Sequence, residues 1–580
     1  MISALYLHSR SDAKPLRIGV MIDSFLLGRV FRQVIEDIQA SDFANIELVI
    51  KNAESQAVPA ASGGKLSRYI KLLRDPDRRR VLLYATFQKI DQKNLAELQN
   101  PLEEVDCSDI FSNYPLLEVT PITKRFVHRF PPEAIETLRS HDLDVILRFG
   151  FNILRGDVLT SARYGIWSFH HGDNEFYRGG PALFWEVVED NPCSGVILQV
   201  LNEKLDDGLV LCKSIFSTAR GLSPNRNLVA PYWGSEHFVI RKLNELHEYG
   251  WDDVKTRAVS PVPYRGKAPI YRTPTNLQMA KWLAPRLGQK FAGRLNPTRA
   301  ESVYYWRICL RRSESPKLLT GESAGKIDFR WTSSPNGHFY ADPFLIERNG
   351  ELWLFFEDYV YGDRRGRIAC AAVSGDRINE TRPCLETAYH LSYPCVFEHQ
   401  GEWFMIPESG SNDSVELWRA SEFPFFWKLE KKLFSGSLVD TTPLLHQSRW
   451  YFFTTLSEPR GNAAFGALFS SDTLTGEWER HPATPISTDV RDARSAGAIL
   501  RVNGRLLRPV QDCSTNYGSR IHVQEIVELT PDTCRVRPLQ SIQPDWEKGL
   551  LGVHTYAFAG GIEALDAAIL RKRSSVAGSA

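Results

Sequence analysis

The chain has no run of 18 apolar residues, so no transmembrane helix is expected. Its first residues, MISALYLHSRSDAKPLRIGV, lack an apolar stretch behind a basic segment, so no secretory leader is expected either. An excess of one charge is also missing. Lys and Arg number 70 against 69 Asp and Glu, a net charge of +1. Without a global basic field, a nucleic-acid partner is not expected. The nine cysteines are odd in number and form no CxxC pair, which speaks against a disulfide framework and a zinc ribbon. No metal is expected, and a reducing cytoplasm is the expected location.

What is present is a globular composition of 43% apolar and 24% charged residues, enough to build buried cores and to exclude a mostly disordered chain. The 580 residues allow roughly three to five ordinary domains or two large ones. Aromatic residues reach 11%, with 14 Trp and 20 Tyr, a bias that suits β architectures and sugar-stacking surfaces.

Before about residue 325, apolar strand-like runs alternate with helical spacing. Arg17–Ile22 (RIGVMI), Ile46–Ile50, Val81–Ala85 (VLLYA) and Val145–Leu147 read as strands, and Arg29–Ala40 as a helix with Val30, Phe31, Val34, Ile35 and Ile38 on one face. This alternation predicts an α/β domain with a parallel sheet, which places ligands at the carboxyl ends of its strands. The α/β domain is assigned to residues 1–260. A Pro-rich connector follows over 261–326, with helical spacing at Ala280–Gly293 and Arg299–Arg312.

Residues 327–568 read as all-β. Five segments share one pattern: ADPFLIERNGELWLFFED from Ala341, SYPCVFEHQGEWFMIPES from Ser392, DTTPLLHQSRWYFFTT from Asp440, SAGAILRVNGRLLRPVQD from Ser495 and HTYAFAGGIEALDA from His554. Each is a strand, a turn and a second strand, with Gly350, Gly401, Ser448, Gly504 and Gly560 in the turns. A period near 50 residues predicts a five-bladed β-propeller. The leading residues Asp342, Tyr393, Asp440, Ser495 and His554 would converge at one mouth of its channel. Residues 569–580 read as a frayed tail.

The densest motif cluster is 144–211: DVILRFG, GIWSFHH, YRGGP, SGVILQVL and LDDG. It resembles the catalytic domain of the folate-dependent formyltransferases, a family that includes methionyl-tRNA, glycinamide ribonucleotide and sugar N-formyltransferases. The family's Asn-x-His pattern falls on Ser168-Phe169-His170, its Arg-Gly pair on Arg178-Gly179, and its Leu-Asp-x-Gly loop on Leu205–Gly208. The resemblance implies His170 and Asp206 as catalytic residues, with 10-formyltetrahydrofolate as co-substrate. By the same resemblance Arg148–Leu154 would line the folate pocket, mostly through backbone contacts, with Phe149, Gly150, Phe151, Ile153 and Asp207 as its binding residues. Arg178, Gly179, His171 and Asn174 would contact the acceptor. The chemistry fits: a histidine can serve the tetrahedral oxyanion or take the amine proton, and an aspartate can orient it. Ser168 departs from the family's amide, and losing one oxyanion donor costs on the order of 100–1,000-fold in rate. His171 and Asn174 are the candidate replacements.

The Ala-Asp-Pro-Phe start at Ala341 resembles family 43 glycoside hydrolases. The segments around Ser392 and Asp440 resemble the N-terminal propeller of plant glucosamine inositolphosphorylceramide transferases, over roughly Ile327–Ala567. Glycosidases need two carboxyls about the scissile bond. Asp342, Asp440 and Glu408 are the candidates, with Arg494, Arg508, Asp512 and His554 adding polar contacts, and Tyr393, Trp403 and Trp418 as stacking surfaces. Together these readings imply formyl transfer to a nucleotide-linked amino sugar by the first domain, with a glycan-binding or glycan-processing propeller. The alternative is a glycoside hydrolase or glycosyl-transfer protein whose first domain is repurposed. A small-molecule amino sugar or glycan is the expected partner.

Overall fold

The sequence's buried strands become the spine of an α/β unit, described here from a computed structural model that covers residues 2–56, 75–95, 98–295, 302–322, 328–456 and 464–572. The expected tail at 569–580 is corrected at its start, because 569–572 continue a paired strand; the rest of it lies outside the described residues. The chain divides into two units, Met1–Gln289 and Lys290–Ala580. Among the described residues, no helix is long and apolar enough to cross a membrane.

Unit 1 opens with β1 (Leu16–Ile22), in which Ile18, Val20, Met21 and Ile22 are fully buried, as a strand covered on both faces requires. Helix α1 (Arg29–Ala40) buries Val30, Val34, Ile35 and Ile38, and β2 (Ala44–Asn52) follows. The VLLYA run, expected as a strand, is instead the start of helix α2 (Leu82–Asp91). Leu83, Tyr84 and Phe87 there pack toward Phe184 and Trp282. A short unbroken apolar run carries no period, and the i, i+4 pair Leu83–Phe87 decides it.

Next come β3 (Leu116–Val119), α3 (Pro132–Ser140), β4 (Val145–Arg148), β5 (Ile166–His170), α4 (Trp185–Val188), β6 (Cys193–Val200) and β7 (Leu209–Ser217). They form one seven-stranded sheet ordered β7-β6-β5-β4-β1-β2-β3. The five strands from β5 to β3 run parallel, and β6 pairs antiparallel with both β5 and β7. Strands β4 and β5 end side by side, with Arg148 opposite Ser168. Helices α5 (Arg226–Trp233) and α6 (Phe238–Tyr249) follow. Helix α7 (Asn276–Leu295) covers the expected Ala280–Gly293 helix and buries Met279 and Trp282 among Tyr177, Trp185 and Tyr271.

Unit 2 is all-β. Its first strand, β8 (Ser302–Arg312), corrects the expected helix at Arg299–Arg312. Aromatic and β-branched residues favour a strand, but the deciding partner lies far along the chain and leaves no local periodicity. The five expected hairpins are present, and each starts an antiparallel sheet. Their opening strands are β9 (His338–Arg348), β10 (Ser392–His399), β11 (Leu438–His446), the broken pair β12 (Arg494–Ser495) with Leu500–Val502 before β13 (Arg505–Asp512), and β14 (Tyr556–Ala559). The turn residues Gly350, Gly401, Ser448, Gly504 and Gly560 all have positive φ, 79°, 83°, 63°, 78° and 55°.

The last hairpin is not a complete sheet by itself. Its second strand, β15 (Ile562–Lys572), pairs with β8 along its whole length, from Ser302↔Lys572 to Arg312↔Ile562. Arg330–Trp331 completes this sheet. Apolar cores sit between successive sheets: Ile308, Leu354 and Ala564 share one cluster, and Phe355, Met405 and Trp427 another.

Candidate functional site

In unit 1 the adjoining carboxyl ends of β4 and β5 open onto a cavity of about 310 Å³. Its lining includes Ser168, His170, His171, Gly179, Ile153 and Asp206, so the three motifs do converge. Asp206 sits at φ 50°, with Oδ2 accepting from the Gly179 amide at 2.9 Å and Oδ1 3.4 Å from His170 Nδ1. Gly179 itself has φ 91°, and a Cβ there would lie 2.4 Å from Tyr271 O, so glycine is required.

The histidine is less free than its motif implies. His170 Nε2 donates to Tyr177 O at 2.7 Å, and its other ring nitrogen faces Asp206. His171 stacks on Tyr232 with ring centroids 3.6 Å apart, and burial pushes its pKa down to about 3, so it is neutral at physiological pH. Ser168 Oγ accepts from Arg148 Nη1 at 2.9 Å.

Other expected residues are used elsewhere. Arg178 pairs with Asp207 at 2.9 Å, lies over the Tyr264 ring and donates to the Asn174 carbonyl, so this trio braces a loop. Phe149 packs on Phe31, and Phe151, at φ 61°, packs on Phe130. A Cβ on Gly150 would lie 2.3 Å from the Asp23 amide nitrogen, so this residue serves close backbone approach. Of the stretch Arg148–Leu154 expected to line a folate pocket, Arg148, Ile153 and Leu154 border the cavity, whereas Phe149, Gly150, Phe151 and the expected Asp207 do not. Sequence reading missed Arg155, Gln199 and Lys204 in the lining.

In unit 2 the leading residues Asp342, Tyr393 and Asp440 recur at φ 52°, 44° and 51°, each inside a register break of its opening strand. Non-glycine residues seldom adopt this conformation, and its recurrence marks one constructed feature. Asp342 is buried. Its Oδ2 accepts from the Tyr393 amide at 3.1 Å and its Oδ1 from Thr555 Oγ1 at 2.7 Å. Asp566, on β15, accepts from the amides of Asp342, His554 and Thr555 at 2.9, 3.1 and 2.9 Å. His554 bridges the two acids, with Nδ1 2.7 Å from Asp566 and Nε2 3.4 Å from Asp342.

Burial lowers the His554 pKa, but Asp566 and Asp342 outweigh it and hold the imidazole above its ordinary value. The ligand atoms of Asp342, His554 and Asp566 lie within 4.8 Å of one another.

Asp440 is gripped by Arg494, through Nε and through Nη2 at 3.2 Å, and by Gln511 Nε2 at 3.0 Å. Arg494 also lies over the Tyr517 ring. Glu408 closes the second hairpin. One of its oxygens accepts from the Gly410 amide at 2.8 Å, and the other lies 3.4 Å from Ser392 Oγ. Burial, followed by the charge of Asp440, pushes its pKa up to about 7. Asp342 is also raised, by burial first and then by Asp566 and Asp440 against the opposing pull of His554. Glu357 is raised well above its usual range by burial and by Asp342 and Glu408.

Several expectations are corrected here. Tyr393 is fully buried, with its hydroxyl between Thr442 Oγ1 and the Gly497 backbone, so it offers no stacking surface. Trp403 and Trp418 pack into the apolar cluster beside the second sheet. Arg508 is spent on Gln524, the Ala493 carbonyl and the Phe453 ring. Asp512 pairs with Arg520 and His522. Sequence reading missed Asp566, Glu357, Thr555 and Gln511. A single Asp in the apolar run IEALDAAIL could have exposed the first.

Comparison with known proteins bears on unit 2. The family model described as glucosamine inositolphosphorylceramide transferase 1, N-terminal, matches residues 328–549, in agreement with the resemblance read over Ile327–Ala567. Glucosamine inositolphosphorylceramide transferase 1 of Arabidopsis thaliana is 37% identical over 206 residues, covering 34% of this chain and 27% of that protein. The Oryza sativa subsp. indica protein of the same name is 33% identical over 219 residues, covering 37% of this chain and 29% of its own length. The chain thus spans under a third of the length of these relatives.

Among solved structures, glycinamide ribonucleotide transformylase 1 of Symbiobacterium toebii covers 43% of this chain and 91% of its own at 13% identity and TM-score 0.26. An exo-β-1,3-galactanase of Clostridium thermocellum covers 36% and 53% at 14% identity and TM-score 0.30. Such low scores support no functional conclusion. The expected cytoplasmic location is withdrawn, because the matched relatives are named for an inositolphosphorylceramide, a membrane lipid.

Proposed function

We propose that unit 2 forms and breaks glycosidic bonds, transferring or hydrolysing a sugar at its buried carboxyl cluster, and that its five sheets are the blades of a propeller about that cluster. The observation that carries this reading is Glu408. Its carboxyl, pushed up to about 7, retains a proton near neutrality beside Asp440, which Arg494 and Gln511 grip. A proton held on one carboxyl beside an ionised one is what glycosidic cleavage requires. Glu408 gives its proton to the leaving oxygen as the anomeric C–O bond breaks. The oxygen of the incoming hydroxyl or water bonds to the anomeric carbon and gives its proton to Asp342, and exchange with solvent returns one proton to Glu408 and takes one from Asp342. The relatives' names support an amino-sugar glycan, glucosamine linked to an inositol headgroup, as the substrate class.

The test is turnover of the full chain on glucosaminyl-inositol glycans and aryl glycosides. Glu408→Gln is expected to lower turnover at least 100-fold, and wild-type activity to fall as pH rises above 7. Wild type inert on every substrate sinks the reading.

A second reading keeps unit 1 as a formyltransferase using 10-formyltetrahydrofolate and an amino sugar, supported by the meeting of His170, Asp206 and Ser168 at one cavity. His170 would have to release Tyr177 O to act. Ser168→Asn should raise folate-dependent formylation about 10-fold or more if the amide is the missing donor. No formylation by either form ends this reading.

A further inference from the structure

The cavity of unit 1 is bordered by a cation, Arg148, that no carboxylate of the described residues touches directly. The Arg148 guanidinium is buried, and burial lowers its pKa, a sign that the cation is kept there at a cost. Its partners are neutral. Nη1 donates to Ser168 Oγ at 2.9 Å, and Nη2 to the carbonyls of Phe151 and Asn152 at 2.9 and 3.2 Å. Nε has no hydrogen-bond partner; Asp206 and then Asp23 favour the charge through space, without an ion-pair contact among the described residues. Bracing two carbonyls and a hydroxyl needs hydrogen bonds, which a neutral amide would supply without the burden of a buried charge.

The rest of the lining repeats the bias. Arg148, Arg155 and Lys204 line the cavity with one acid, Asp206, whose oxygens are occupied by the Gly179 amide and His170; Arg155 leans on Glu203 at 3.7 Å and Lys204 on Asp207 at 3.9 Å, which leaves Arg148 as the cation without a direct carboxylate partner. A guanidinium with unspent N–H groups beside a hydroxyl, in a partly open cavity, suits an oxyanion.

We propose that this cavity is a binding site for an oxyanion group of a small molecule, a phosphate or a carboxylate, seated on Arg148 and Ser168 with Lys204 at the rim. The site goes beyond the sugar chemistry assigned to unit 2 and does not depend on formyl transfer in unit 1. Its ligand is a phosphorylated or carboxylated metabolite rather than a neutral sugar.

The test uses the full chain at low ionic strength with inorganic phosphate and sodium formate as separate probes and sodium chloride as the control. Melting temperature should rise saturably with at least one probe. Arg148→Gln should weaken that probe's apparent affinity at least 10-fold, Arg148→Lys by less, and Lys204→Ala by about 2–3-fold. Phosphate alone points to a phosphorylated ligand, and formate alone to a carboxylated one. If Arg148→Gln does not fold, phenylglyoxal labelling of wild type followed by peptide mapping replaces it, with protection of Arg148 by the bound probe as the expected result. No saturable effect of either probe, unchanged affinity in Arg148→Gln, or no protection of Arg148 overturns the site.

Discussion

Single side chains carry most of the chemistry in unit 2, and Glu408 shows how the environment sets it. The free carboxyl titrates at 4.5, and burial beside Asp440 moves it to about 7. A pKa raised on folding means stability that is fully present below about 4.5 and is lost as pH climbs through 7. The difference is worth about 3 kcal/mol. Glu408→Gln should therefore flatten the fall in stability between pH 4.5 and 7, read from urea midpoints at fixed m-value. An unchanged slope would mean that Glu408 does not carry the shift. The sequence revealed Glu408 only as an acid after a strand. Its elevated pKa depends on Asp440, 32 positions later, and on the burial between sheets.

At the level of elements, β8 is the sharpest departure from expectation. Tyr305, Trp306, Ile308, Cys309 and Leu310 are buried by the strand's place in the fifth sheet. Ile308→Ala should cost about 2–5 kcal/mol in chemical denaturation, the usual range for emptying a core position. A cost below about 1 kcal/mol would restore the reading of a peripheral connector. The misreadings of β8 and α2 share a cause. Both are short apolar stretches whose type is set by a remote partner, Ile562–Lys572 for one and the Phe184–Trp282 cluster for the other. The hairpin turns were legible because their requirement is local. Positive φ at Gly350, Gly401, Gly504 and Gly560 writes glycine into the chain.

Across the whole molecule, the division into an α/β unit and an all-β unit was legible, since the change from helical spacing to repeated hairpins needs no tertiary knowledge. The convergence of Ser168, His170 and Asp206 was also legible from motif order. What stayed hidden was how their bonds are spent: His170 on Tyr177 O, Arg178 on Asp207, Tyr393 on Gly497. Hydrogen-bond partners come from the fold, and residue type gives only the capacity to form them. The pairing of β8 with β15 has a temporal consequence. From Arg312 to Ile562 the ribosome must add about 250 residues before that ladder can begin, roughly 10–50 s at ordinary elongation rates. For that interval the nascent unit carries an apolar strand whose edge toward Ile562–Lys572 is open, and whatever shields that edge during synthesis bears on the yield of the finished protein.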